Sequence, residues 1–145
     1  MSIPLAGWPA LATHPWAYPA LEAAHVFGIA LLVGNLVALE LRVWGVARTL
    51  PLADLGRLCL SVSLCGFALV VVTGVAMFGA NPGDLLANRA FTLKMGLVML
   101  AGLNAAAFHA RGGLQRPDGV ARAQTALSLG LWLAVIICGR WIAYR

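Results

Sequence analysis

His25, Asn35, Glu40 and Arg42 share one long apolar stretch of this chain, and Lys94, Asn104, His109 and Arg111 share another. Each member of the first set has its counterpart in the second at an offset of 69 residues: an ionisable side chain, an amide, a second ionisable side chain, then an arginine. Imidazole and amine nitrogens can ligate a metal, a carboxylate or imidazole can exchange protons, and an amide can orient either. Such groups are expensive inside a bilayer and by default mark a pathway or a ligand site. Their repetition predicts two duplicated helical hairpins, related by an axis along the membrane normal, with paired sites on that axis.

Chain direction decides which of these groups can meet. His25 lies about one turn into the first apolar stretch and Lys94 about one turn into the third, which runs the same way. Both are therefore expected at the outer end. His109 stands 15 residues beyond Lys94, or about 22 Å along a helix axis at a rise of about 1.5 Å per residue. His25 and His109 are accordingly not expected to ligate one metal within a single chain.

Two sites follow. The outer one comprises His25 and Lys94, joined by Arg140 and Trp141 from the fourth stretch and Met77 from the second. His25, Ile29, Leu32 and Leu36 fall on one helical face, as do Lys94, Val98, Ala101 and Ala105. The small residues of the latter face leave room for a flat ligand or a close helix contact. Neutral imidazole is an iron ligand, and Lys94 and Arg140 would neutralise propionates, so this constellation suits heme b. Lys94, Met77 or Met95 would then be the second axial ligand. The plainer alternatives are a buried histidine bonded to a polar neighbour and a lysine that snorkels to the headgroups.

The inner site pairs Glu40 with His109, near Arg42 and Arg111. A carboxylate and an imidazole at one depth can pass protons, bind a cation or form a salt bridge. Asn35 and Asn104 lie mid-membrane, where an unpaired amide is costly, and are expected to bond to each other.

Four elements must position these groups. The chain has 145 residues, 61% hydrophobic and 10% charged, too apolar for an ordinary soluble domain. Charged residues divide it into apolar stretches of about 20 residues each, enough to cross a hydrocarbon core of about 30 Å. They run from Leu21 to Leu41, Leu58 to Phe78, Phe91 to Ala110 and Ala123 to Ala143. Short connections make consecutive spans antiparallel neighbours, which predicts an all-α, up-down-up-down four-helix bundle forming a single transmembrane domain over residues 1–145. Gly79 to Asp84 and Arg111 to Gly119 read as turns. Pro51 and Asp54 mark the start of the second helix.

Residues 1–20, with Trp8, Trp16, Tyr18 and four prolines among them, read as an outer interfacial leader that anchors the chain or lids an outward-facing site. No Lys or Arg precedes Arg42, so the basic region of a signal peptide is missing and no cleavage is expected. Arg42, Arg48 and Arg57 occupy the first connection and Arg111, Arg116 and Arg122 the third, against Arg89, Lys94, Arg140 and Arg145 on the opposite side. That bias places both arginine-bearing connections in the cytoplasm and both termini outside. The net charge of +5 reflects this topology and gives no reason to invoke nucleic acid. Cys59, Cys65 and Cys138 lack the spacing of a redox pair or a zinc site and read as small packing residues.

The duplication extends into the second helix of each hairpin. Val71-Val-Thr-Gly74 through Phe78 aligns with Ile136-Ile-Cys-Gly139 through Ala143 at an offset of 65. The shared glycine is the informative position there.

The segments His25-Val-Phe-Gly-Ile-Ala-Leu-Leu-Val-Gly, Phe91-Thr-Leu-Lys94-Met, Ala101-Gly-Leu-Asn104 through His109, Leu127 through Trp132, and Gly139-Arg-Trp-Ile-Ala-Tyr144 resemble a bacterial family of small four-helix inner-membrane proteins of unknown function. The likeness runs from Leu21 to Tyr144, and its closing Gly-Arg-Trp-Ile-Ala-Tyr is the most specific part. More distantly the chain resembles the small membrane protoporphyrinogen oxidases that bind heme b, and copper-resistance membrane proteins. His25, Lys94 and His109 match the oxidases' first-span histidine, third-span lysine and later third-span histidine. The oxidases continue from their first histidine with Trp-x-x-Gly-Leu-Phe and a Pro-Arg pair, where this chain has Leu-Val-Gly-Asn35 through Arg42. The resemblance therefore bears on heme binding more than on the oxidase reaction.

These readings imply a bacterial inner-membrane protein that holds heme b and moves electrons, with a quinone or a periplasmic redox protein as partner. Ion or copper handling through His25, Asn35, Asn104, Glu40 and His109 is the first alternative. A non-catalytic membrane subunit of a homo-oligomer or larger complex is the second, and a porphyrinogen-oxidising enzyme the third.

Overall fold

The structure is a computed structural model and describes residues 14–115 and 118–142. The leader up to Thr13, with Trp8, and the terminal Tyr144 and Arg145 lie outside the described residues. Five helices follow in order: α1 (Ala17–Val43), α2 (Leu52–Ala80), α3 (Pro82–Ala87), α4 (Arg89–Ala110) and α5 (Gly119–Ile142). No strand occurs among the described residues. Helices α1, α2, α4 and α5 have 27, 29, 22 and 24 residues and are each long and apolar enough to cross a membrane. Only helices and closed barrels satisfy their own backbone groups in hydrocarbon, which is why such runs fold this way. Their outward faces carry the apolar belt that lipid requires: Leu64, Val72, Met99 and Leu103 are each about two-thirds exposed.

The helices overrun the apolar stretches at most ends, and two local expectations change. The leader does not stay irregular up to residue 20, because α1 starts at Ala17. Pro19 falls in its first turn, where a missing N–H leaves no hydrogen bond unmade. The connection from Gly79 to Asp84 is more than a turn: α2 continues to Ala80, and Pro82 then opens the short α3 with Asp84 in its first turn. Helix α2 begins beside Pro51 with Asp54 in its first turn, as expected. Gly45 and Gly112, each directly after a helix C-cap, take φ of 102° and 68°, the left-handed conformation that ends a helix cheaply only with glycine.

Packing is concentrated within two hairpins, α1 with α2 and α4 with α5. In the first, Gly28 and Gly66 bring the two backbones together. A Cβ on Gly28 would stand 2.9 Å from the Gly66 carbonyl oxygen, and one on Gly66 would stand 2.7 Å from that of Gly28. The Ser63 hydroxyl donates to the Leu32 carbonyl at the same crossing, 3.2 Å away. Small residues drive such packing in a bilayer, where apolar side chains gain nothing by leaving lipid.

The hairpins meet chiefly through α1 and α5. Near the arginine-bearing connections Val43, Phe108 and Ala121 form a shared core with Trp44, Leu52 and Leu114 around it. The Trp44 indole donates to the Thr125 hydroxyl at 2.6 Å, a bond from one hairpin to the other. Helices α2 and α4 make no extended contact, and Phe78 and Phe91 stack between them at 5.8 Å near α3. Cys59 and Cys138 are buried, Cys65 is exposed, and all three are free thiols.

Candidate functional site

His25 and Lys94 are held in the same way by their own hairpins. The His25 ring lies over Gly74 of α2: a Cβ there would be 3.5 Å from its Cε1. The Lys94 amine lies over Gly139 of α5: a Cβ there would be 3.5 Å from its Nζ. Each glycine follows a small residue: Thr73, which is hydrogen-bonded to His25, and the buried Cys138. The pairs His25–Gly74 and Lys94–Gly139 are the ones that the two sequence offsets equate. Both side chains are half-buried and within electrostatic reach of each other across the bundle.

Thr73 also decides the state of the imidazole. His25 Nδ1 and Thr73 Oγ1 are 2.8 Å apart, while Thr73 Oγ1 is 2.7 Å from the Leu69 carbonyl. A carbonyl only accepts, so the hydroxyl proton goes to Leu69 and the oxygen accepts from Nδ1–H. Nε2 then keeps its lone pair. An imidazole oriented by a hydrogen bond at one nitrogen is the usual form of a metal-ligating histidine.

The remaining residues at the His25 end are arranged less tightly. Arg140 follows the glycine that seats Lys94 and is exposed. Trp141 is 57% exposed on the outside of the bundle, where an interfacial tryptophan belongs. Met95 is exposed as well, which removes it as an inward-facing axial ligand, whereas Met77 is half-buried. Among the described residues no group of three or more His, Cys, Asp or Glu side chains converges.

At the other end all four long helices enclose a cavity of about 50 Å³. Glu40, Asn104, His109, Gln124, Thr125 and Ser128 supply its polar lining. Glu40 and His109 thus share a cavity, as their common depth requires, but they do not form a salt bridge. Glu40 is only 4% exposed, Ser128 faces its carboxyl from α5, and its Oε2 has no hydrogen-bond partner. His109 is exposed.

The arginines expected beside Glu40 are engaged in the connections instead. Arg42 donates to the Leu50 and Arg48 carbonyls at 2.8 and 3.5 Å. Arg111 donates to the Gln124 side chain at 3.2 Å and pairs with Asp118 at 3.3 Å. The expected Asn35–Asn104 bond does not form either. Asn35 donates to the Leu31 carbonyl one turn back, and Asn104 to the Gln124 carbonyl on α5, both at 2.8 Å. A carbonyl within reach on a closely packed helix satisfies an amide without the two having to meet across the bundle.

Sequence reasoning named the ionisable residues but missed what holds them. Thr73, Gly74 and Gly139 lay inside the offset-65 alignment, and that recurrence was the available signal. Gln124, Thr125 and Ser128 carried none, since isolated polar residues in an apolar helix usually bond to their own backbone. Comparison of the chain with protein-family models, with characterised proteins and with solved structures finds no match.

Proposed function

We propose that this four-helix membrane protein holds a b-type heme between its two hairpins at the His25 end and moves electrons through it. The observation that carries the reading is the Thr73-oriented imidazole of His25, whose Nε2 keeps a lone pair for a ligand, with the Lys94 amine within electrostatic reach. The donor chemistry fits the group. His25 would ligate the iron through a ring nitrogen, and Lys94 would be a second ligand or the countercharge to a propionate, with Arg140 beyond it.

The seats on Gly74 and Gly139 fit as well, because neither helix places a Cβ between these side chains and its own backbone. Separation of α2 from α4 leaves the side of the bundle by which a flat, lipid-soluble cofactor would enter. When bound, heme supplies a reversible one-electron couple; the chain's own part is to orient one imidazole, offer one amine and keep water out with an apolar belt. A bacterial inner membrane, periplasmic termini and a quinone or periplasmic redox protein as electron partner complete the proposal.

The test is the absorption spectrum of the detergent-purified protein from heme-replete cells. A Soret band that is lost in His25→Ala is the expected result. A colourless preparation, or a band unchanged in His25→Ala, would defeat the reading.

A further inference from the structure

The cavity at the Glu40 end is independent of the proposed cofactor and has its own chemistry. Glu40 is one of two glutamates in the chain, the other being Glu22 near the start of α1. Glu40 is only 4% exposed, and among the described residues its Oε2 is the one buried side-chain nitrogen or oxygen without a hydrogen-bond partner. An orphaned buried carboxyl oxygen is expensive and calls for a ligand.

The cavity beside it, about 50 Å³, exceeds the roughly 10–15 Å³ that one water requires. Its polar rim also offers such waters several partners, and exposed His109 sits where the cavity meets the surface.

The lining selects among ligands. A hard metal cation needs about six oxygens. Here Leu36, Leu39, Leu60, Ala105 and Phe108 form the walls, and two of the oxygen-bearing side chains are already committed. Thr125 accepts from Trp44 and donates to the Arg122 carbonyl, and the Gln124 side-chain oxygen accepts from Arg111. A proton needs only the carboxyl and a water. The charged and titratable groups facing Glu40 are few. From α4 there is His109; from α2 there is Leu60 alone; from α5 there are the neutral Gln124, Thr125 and Ser128.

We infer that Glu40 is an intramembrane proton-binding site, exchanging its proton through cavity water and the His109 imidazole with the aqueous phase beside the arginine-bearing connections.

Selective ¹³C labelling of glutamate in the full-length protein, in nanodiscs, gives two carboxyl signals, of which Glu40→Gln removes one. The expected result is that this signal moves reversibly between its protonated and ionised positions as pH is changed, and that His109→Phe slows the exchange about a hundredfold, the lower end of what a positioned acid–base group contributes. Ser128→Ala should shift the midpoint without abolishing the titration. A Glu40 signal that stays fixed throughout the pH range in which the bundle persists would overturn the inference. A signal that answers to sodium or potassium chloride at constant pH would overturn it too, and would assign a metal cation instead.

Discussion

His25 Nδ1 donates to Thr73 Oγ1 at 2.8 Å, tying the first helix of a hairpin to the second. The bond leaves Nε2 as the reactive nitrogen, so Thr73 sets what His25 can do. Thr73→Val keeps the shape and removes the acceptor. Outer-shell partners of ligating histidines are worth about 10- to 100-fold in affinity. Titration of the purified protein with hemin should accordingly show a loss of that order in Thr73→Val and near-complete recovery in Thr73→Ser. Equal affinity in all three proteins would mean that the hydroxyl merely satisfies its own helix.

The contact of Gly28 with Gly66 makes a sharper statement about stability. Alanine at either position places a Cβ within 3 Å of backbone on the opposite helix, and backbone cannot step aside as a flexible side chain can. Overpacking of this kind costs about 1–3 kcal/mol. Gly34 on the same helix has nothing within 4 Å of its Cβ position and serves as the control. Thermal unfolding in detergent should fall clearly for Gly28→Ala and Gly66→Ala. Gly34→Ala should be neutral or slightly stabilising, since alanine is the better helix former.

Much of this arrangement was legible in the sequence, for reasons that differ by residue. Helix number and antiparallel order follow from apolar runs of bilayer length and short connections. Chain direction and helix rise brought Glu40 and His109 to one cavity, because rise converts sequence distance into depth. Partners were harder to read. Asn35 and Asn104 each found a carbonyl, and a carbonyl is present at every residue, so no pattern singles one out. Helix α3 escaped notice because Asn-Pro-Gly-Asp is as good a turn as it is a helix start. The Gly28–Gly66 crossing was hidden among 16 glycines, most of which do other work.

Lys94 is the only lysine in the chain, so amine-directed reagents report on its seat directly. Held against Gly139 and half-buried, its amine should react slowly with a membrane-permeant acylating reagent. Gly139→Leu fills the space beneath Nζ and should raise the rate on the order of tenfold, equivalent to about 1.4 kcal/mol of lost seating. Mass spectrometry of the labelled peptide distinguishes Lys94 from the chain's amino terminus. Gly74→Leu, which disturbs the His25 seat in the other hairpin, should leave the rate at Lys94 within a few-fold of the starting protein. If both variants accelerate labelling equally, the two seats are not separate.

Asp118 gives a pH prediction outside the membrane-spanning helices. Its carboxylate accepts from the Ala121 amide at 2.8 Å, capping α5, and pairs with Arg111 at the end of α4. The backbone bond to Ala121 is the chief cause that holds this carboxyl below its usual range, with Arg111 adding to it. A carboxyl whose pKa is lowered on folding contributes stability that is fully present above the unfolded value of about 3.9 and is lost as pH falls through the folded value. The connection between α4 and α5 should therefore hold at neutral pH and loosen only in acid below that value. Hydrogen exchange of the Ala121 amide reads this locally. Asp118→Asn retains an oxygen for the cap while removing both the charge and the ion pair, so protection should persist but lose its acid-dependent step. Asp118→Ala removes the cap as well and should expose the amide at every pH. An acid-dependent step that survives in Asp118→Asn would have to come from another carboxyl, leaving the cap as the only part of Asp118's role that stands.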